Sequence, residues 1–200
     1  VDKISKKNKM IEKRIKSLRS KFNKYEIDGY VIPKNDEFFS EYSKNNRLEI
    51  ISNFSGSAGY AIVLKNKNFL FVDGRYTVQA QIESSNNFKV VEYNKILNCN
   101  LFKNLTIGVD PKIFTTNQIK SFFLKNNKVK IINKNLIDEI FKKKFNYTKP
   151  FFSLSTKIVG ESYKNKTNKL SKLLRKNKSD YLFISAPENV AWLLNIRGHD

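Results

Sequence analysis

The tetrapeptide Asp73-Gly74-Arg75-Tyr76 places a guanidinium directly after Phe69 to Val72, a run whose aromatic and β-branched residues suit a strand. A second such run, Tyr60 to Leu64, precedes it, and Asn53-Phe54-Ser55-Gly56-Ser57-Ala58-Gly59 comes before that. Two glycine-bearing turns therefore bracket an expected pair of adjacent strands, with an arginine delivered at the end of the second. α/β sheets commonly present ligand groups at strand ends and in the loops after them, because the rigid sheet fixes a residue that stays open to solvent. Arg75 is thus the first candidate functional side chain. The same spacing is equally compatible with a purely structural pair, in which Asp73 and Arg75 stabilise a turn.

No complete catalytic constellation accompanies it. The single histidine is His199, one residue from the end, which rules out most histidine-based triads and two-histidine metal sites within these residues. Neither a G-x-x-x-x-G-K-[ST] phosphate loop nor a G-x-G-x-x-G fingerprint occurs, and Gly56-Ser57-Ala58-Gly59 is too short to count as one. Ser57 does not sit in a G-x-S-x-G nucleophile elbow and reads as part of a tight turn before a strand. Asp138 and Glu139 are adjacent and cannot share a helix face. The lone Cys99 excludes an intramolecular disulfide and a cysteine-only zinc site; without a motif around it, it reads as a packed or incidental residue. The cytoplasm is its natural compartment.

With 200 residues, 40% of them hydrophobic and 13% aromatic, the chain can bury a good core and form one to two domains. The net charge of +20 would by itself suggest nucleic acid or an acidic membrane surface. Its distribution argues against both. Lysines run from Lys3 to Lys178 and repeatedly sit beside asparagines, as in Lys65-Asn66-Lys67-Asn68 and Lys125-Asn126-Asn127-Lys128, the pattern that a lysine- and asparagine-rich coding bias leaves on solvated surfaces. The clusters Lys6-Lys7 and Lys142-Lys143-Lys144 lack the interleaved aromatics of single-strand binding. No apolar run approaches the roughly 20 residues of a membrane span, and nothing in these residues resembles a secretory signal. No specific nucleic-acid partner and no membrane partner are expected.

The elements that must position Arg75 follow from periodicity. Met10, Ile11, Ile15, Leu18 and Phe22 fall on one helical face, and Ile27 to Ile32 reads as a strand stopped by Pro33. Residues 35–46 read as a loop or short helix. After the paired strands, a helix is expected over 76–83, strands over 88–93 and 105–109, a helix over 117–124, a strand over 129–132 and a helix over 136–141. This alternation implies an α/β sandwich with a mixed sheet. A shift of 152 residues aligns Leu18 with Leu170, Phe22 with Leu174, Asp28 with Asp180 and Ile32 with Ile184, so a second domain of similar helix-then-strand build is expected from about Pro150. Residues 1–150 and 151–200 are the expected domains, the second incomplete, with Pro187 starting a helix. The chain thus reads as the front portion of a longer protein, with a partly disordered or partner-covered second part.

Taken in order, Ser40-Glu41-Tyr42, Arg47, Asn53 to Gly59, Asp73-Gly74-Arg75-Tyr76 with Gln79-Ala80, Gly108-Val109-Asp110-Pro111 and Ala191-Trp192-Leu193-Leu194-Asn195-Ile196-Arg197-Gly198 resemble the three-domain form of Xaa-Pro aminopeptidase, or aminopeptidase P. That family usually has G-F-T-G-S-A-G where this chain has Asn53 and Ser55, and R-G-S-D where it has Arg197-Gly198-His199-Asp200. The resemblance implies a creatinase-like N-terminal α/β/α sandwich repeated in a second domain, then a pita-bread metallopeptidase domain beyond Asp200. It also implies two divalent metal ions, commonly manganese, bound outside these residues and none bound by them, so that no catalytic or metal-ligating residue lies in this sequence. Arg75 is the substrate-binding residue it implies, reaching over the catalytic cleft to the bound peptide. A guanidinium suits that task by offering planar donors to carbonyls or a carboxylate. Asp73, Tyr76 and Tyr42 would orient it. The implied partner is a peptide with proline in second position, and the implied full-length protein a cytoplasmic homodimer; this part alone would be inactive.

A reading of a different class is a peptidase-like domain without catalysis that binds protein or nucleic acid, since the large subunit of the FACT histone chaperone resembles aminopeptidase P and binds proteins instead of cutting them. The Asp73-Gly74-Arg75-Tyr76 and Ala191-Trp192-Leu193-Leu194-Asn195 matches favour the enzyme. Prolidase and creatinase share the pita-bread domain but have one N-terminal domain, so the repeat near residue 150 counts against them.

Overall fold

A computed structural model describes residues 2–39, 46–93, 102–122, 126–141 and 150–198. The chain divides into two compact units, Val1–Lys144 and Phe145–Asp200.

In the first unit, α1 (Asp2–Arg19) and the short α2 (Phe22–Tyr25) lead into β1 (Gly29–Pro33), followed by α3 (Arg47–Ser52), β2 (Gly59–Leu64) and β3 (Asn68–Val72). A 3₁₀ turn (Gly74–Tyr76) opens onto α4 (Thr77–Ser84), and β4 (Lys89–Glu92), β5 (Thr106–Val109), α5 (Thr116–Phe122), β6 (Lys128–Ile131) and α6 (Leu136–Phe141) complete the unit. The six strands form one sheet in the order β4-β3-β2-β1-β5-β6. β1, β2 and β3 are antiparallel neighbours, whereas β4 on β3, β5 on β1 and β6 on β5 are parallel. The sheet is mixed because one connection is a tight turn and the parallel ones cross over.

Both sheet faces are covered, and the pleat sorts the side chains between them. Tyr30, Ile32, Ala61, Val63, Leu70 and Val72 pack on one face with Ile11, Ile15 and Leu18 of α1, Leu48 and Ile51 of α3, Ala80 of α4, and Leu136 and Ile137 of α6. Val31, Tyr60, Ile62, Leu64, Phe69 and Phe71 pack on the other with Ile107, Val109, Ile113 and Phe114, against which Ile119 of α5 is partly buried. The result is an α/β/α sandwich.

Some local expectations need correction. Met10 lies off the buried stripe of α1 and is exposed, while Phe22 is buried from α2, after the break at Ser20 and Lys21. Ile27 and Asp28 precede β1, because Glu26 at φ 48° turns the chain there. The strand does end at Pro33, which is itself the last residue of β1, opposite Tyr60 and beyond the residues paired with β5. Its missing N–H costs no ladder bond there. α3 was not anticipated as a separate helix. Its N-cap is Asn46, whose side chain accepts from the Glu49 backbone N–H at 3.1 Å and donates back to the Glu49 carboxylate at 2.9 Å. Asp138 and Glu139 do diverge, the first meeting Arg47 and the second Lys21 and Tyr25.

The second unit holds β7 (Phe152–Ser153), α7 (Thr156–Val159), α8 (Tyr163–Lys176), α9 (Pro187–Leu194) and β8 (Ile196–Arg197), with β7 and β8 antiparallel. α8 falls where the shifted repeat places a helix, and Pro187 occupies the first turn of α9. The strand expected next to Ile184 is absent: residues 181–186 carry no regular structure, and Tyr181 and Phe183 are 92% and 90% exposed. Among the described residues no strand pairs with them.

Candidate functional site

Arg75 sits on the 3₁₀ turn where β3 leaves the sheet. Asp73 sets that turn by capping it, since its carboxylate accepts from the Arg75 backbone N–H at 3.0 Å. The same oxygen takes the Arg75 Nε–H at 2.9 Å. That bond holds the Asp73 carboxyl below the usual carboxylate range and raises the Arg75 guanidinium above its ordinary value. The Arg75 side chain remains 77% exposed, and its two terminal nitrogens have no partner among the described residues. The Asp73 pair is therefore a turn clasp, and it leaves the outer edge of the guanidinium without a partner among the described residues.

Tyr76 lies under this arginine, with Arg75 Cζ 5.6 Å from its ring centre. Its ring meets Phe54 edge to face at 5.9 Å, and its hydroxyl hydrogen-bonds with the Ser57 hydroxyl at 2.9 Å. Asp73, Arg75 and Tyr76 are thus brought together. Tyr42, Ser40, Glu41, Cys99, His199 and the Lys142-Lys143-Lys144 cluster lie outside the described residues.

The loop between α3 and β2 is built around Phe54, which is fully buried. A Cβ on Gly56 would stand 2.2 Å from the Phe54 ring, so only glycine lets the chain fold back over it. Asn53 ends α3 in the left-handed region at φ 64°, a conformation that glycine takes freely and asparagine tolerates. This accounts for asparagine at a position where the resembling family has glycine, and the Asn53 amide also donates to the Glu83 carbonyl at 3.2 Å.

Glu83, Gln79 and Ser55 form a connection that sequence reading did not anticipate. The Glu83 carboxylate accepts from the Ser55 backbone N–H and hydroxyl, both at 2.8 Å, and from the Gln79 amide at 3.1 Å. Gln79 also donates to the Ser55 hydroxyl at 2.9 Å. The only signal in the sequence was the Gln79 to Glu83 spacing of one helical turn, which places both on one face of α4.

In the second unit the Ala191-Trp192-Leu193-Leu194-Asn195 motif has a structural cause. Asn195 ends α9 at φ 55°, its amide oxygen accepts from Lys166 Nζ at 2.8 Å, and its nitrogen donates to the Glu161 carbonyl at 2.9 Å. Lys166, 6% exposed, also donates to the Trp192 carbonyl at 2.8 Å and lies 4.1 Å from the centre of the Trp192 ring. A buried cation thus satisfies the C-terminal carbonyl end of α9.

Among the described residues no group of three or more His, Cys, Asp or Glu side chains could hold a metal ion. The residues present do not fit a dinuclear centre, and no chemical step passes through one here. No helix among them is long and apolar enough to cross a membrane.

A mixed sheet covered on both faces by helices, with an arginine clasped at a strand end, defines an α/β sandwich that presents a polar group outward. A family model described as the creatinase/prolidase N-terminal domain matches residues 14–139, and a second model with the same description matches residues 142–200. The chain belongs to the creatinase/prolidase N-terminal domain family. It is 31% identical to a probable Xaa-Pro aminopeptidase P of Coprinopsis cinerea over 94% of its length and 33% of that protein. It is likewise 31% identical to Xaa-Pro aminopeptidase 1 of Dictyostelium discoideum, over 95% of its length and 34% of that protein. The chain thus spans about a third of these relatives. It superposes on the X-prolyl aminopeptidase of Caenorhabditis elegans, described as a cytosolic enzyme with a di-nuclear active site, with a TM-score of 0.74 and 26% identity over 94% of this chain and 35% of that one.

Proposed function

We propose that this chain is the N-terminal part of a metal-dependent Xaa-Pro aminopeptidase, and that it covers the active site and supplies Arg75 to the bound peptide. The reading rests on one observation: a guanidinium engaged at its Nε by Asp73 while both terminal nitrogens have no partner among the described residues, the arrangement that can meet a carbonyl or carboxylate with two parallel hydrogen bonds. Asp73 and Tyr76 orient it, and Tyr42 is assigned the same role. The substrate is a peptide with proline in second position, and the full-length protein a cytoplasmic homodimer. Two divalent ions, manganese, supply the hydrolytic chemistry from outside residues 1–200, so these residues alone are inactive. The second unit is the beginning of another domain of the same build, a reading supported by the family model over residues 142–200.

Arg75→Ala in the full-length enzyme tests this reading. Loss of a charge-assisted contact made to the substrate is worth roughly 1.5 to 3 kcal/mol, so kcat/KM for an Xaa-Pro peptide is expected to fall about tenfold or more while metal content and thermal midpoint hold. Arg75→Lys should recover only part, because an ammonium lacks the planar fork. Unchanged kinetics in folded Arg75→Ala enzyme would refute the substrate role. A large fall in thermal midpoint would show that the arginine serves only the turn.

A further inference from the structure

We propose that Glu83 and Ser57 are positioning residues for Arg75, acting together as a clamp that fixes the glycine-serine loop against the turn carrying the arginine. The inference rests on the peptide-facing role of Arg75 proposed above.

The loop and the turn are joined at two places. At one, the Glu83 carboxylate receives three donors, two of them from Ser55 and one from Gln79, and Gln79 closes the ring by donating to Ser55. At the other, Ser57 meets the Tyr76 hydroxyl. Both ends of the clamp lie on one continuous stretch, since Tyr76 directly precedes α4 and Glu83 sits in its last turn. The loop is therefore tied across the length of the helix that follows the turn carrying Arg75.

These bonds do little for the core. Ser55 and Ser57 are exposed, and the apolar anchor of the loop is Phe54. Their consequence falls on Tyr76. Its ring would be free to swing about its side-chain torsions if only the Phe54 edge touched it, and the Ser57 hydroxyl pins the far end. A fixed Tyr76 gives the guanidinium a fixed surface to lie against, and Asp73 fixes its Nε. An exposed arginine otherwise loses several rotatable torsions on binding; holding it in place beforehand removes part of that cost. The peptide then meets an arginine already aimed.

The test uses the full-length enzyme with an Xaa-Pro peptide and compares Glu83→Gln, Ser57→Ala and Ser57→Thr, each alone and with Arg75→Ala. Glu83→Gln points an amide nitrogen at groups that are themselves donors, and Ser57→Ala removes the bond to Tyr76. Each is expected to raise KM about three- to tenfold with kcat nearly unchanged, the size of effect that ordering one flexible side chain produces. Ser57→Thr, which keeps the hydroxyl, should retain the original KM. With Arg75→Ala already in place, neither Glu83→Gln nor Ser57→Ala should change kcat/KM further. An equal loss in both backgrounds would overturn the clamp, because it would mean a structural effect that does not act through the arginine. Silent Glu83→Gln and Ser57→Ala enzymes beside a damaged Arg75→Ala enzyme would overturn the clamp and leave the proposed function standing. A silent Arg75→Ala enzyme would remove the substrate role and the clamp with it.

Discussion

Phe54→Ala is expected to lower the unfolding free energy of the first unit by about 3 to 5 kcal/mol, the usual cost of deleting a buried phenylalanine ring. The ring is fully buried, and its surroundings cannot collapse to fill the space. Gly56 arches over it, with an imagined Cβ only 2.2 Å away, and Tyr76 stands against it edge to face at 5.9 Å. The vacated volume is bounded by backbone on one side and by a hydroxyl-pinned tyrosine on the other, so most of it would remain as cavity. For a unit of this size a loss of that order lowers the thermal midpoint by about 10 °C. Equilibrium urea unfolding of the wild-type and variant proteins measures it directly. A loss under about 1 kcal/mol would show that the loop is not anchored through this ring. On the proposed function, kcat/KM of the full-length protein for an Xaa-Pro peptide should fall as well, since Tyr76 loses its edge-to-face partner.

How far the sequence could be read depended on whether a residue's role was set locally. The paired strands β2 and β3 were legible because nearly every residue in them is apolar, as expected of strands buried on both faces. Which of Leu70 and Phe71 faces which layer was not, because an unbroken apolar run carries no alternation; the pleat decides it. Asp73 and Arg75 were legible as a clasp because they are two residues apart. Ser55 and Glu83 were not, because they lie 28 positions apart and only the packing of α4 beside the loop brings them together. The segment around Ile184 reads as a strand from its alignment with β1 at a shift of 152 residues, but a strand also needs a neighbour to pair with, and none of the described residues supplies one. α3 escaped because it has only six residues, and its one sign was the Asn46 to Glu49 capping pattern. The burial of Arg47, which stood in the sequence only as one member of a motif series, escaped for a different reason. In a chain with 38 lysines and arginines, a further cation reads as solvated surface.

Arg47 is instead 3% exposed and joins three segments. Its Nε and one Nη reach the two Asp138 oxygens at 2.9 and 2.7 Å, and that Nη also meets Glu37 at 2.6 Å. The other Nη is buried and has no hydrogen-bond partner among the described residues, so the site carries a desolvation cost that its carboxylates must offset. Burial alone would raise the Glu37 carboxyl, but the Arg47 hydrogen bond and charge, helped by Lys112, outweigh it and hold Glu37 below its ordinary value. A carboxyl with a depressed folded value contributes stability above its unfolded value, and that contribution disappears as pH falls through the folded one. Removing a buried cation from its partners costs about 3 to 5 kcal/mol when both sides are buried. Glu37 and Asp138 are 34% and 45% exposed and can rehydrate, so Arg47→Ala is expected at the low end, about 3 kcal/mol at pH 7. Arg47→Met should lose less, because it refills the volume without requiring charge compensation. The gap between wild type and Arg47→Ala should be widest at neutral pH and narrow as pH falls below the ordinary carboxylate range, through the depressed value at which Glu37 takes up its proton in the wild type. Urea unfolding of the three proteins from pH 7 to pH 3 tests both the size and the direction. A gap that stayed constant with pH would mean that Arg47 stabilises the unit by packing alone, and that its bond to Glu37 contributes nothing to holding α3, and the loop that follows it, in place.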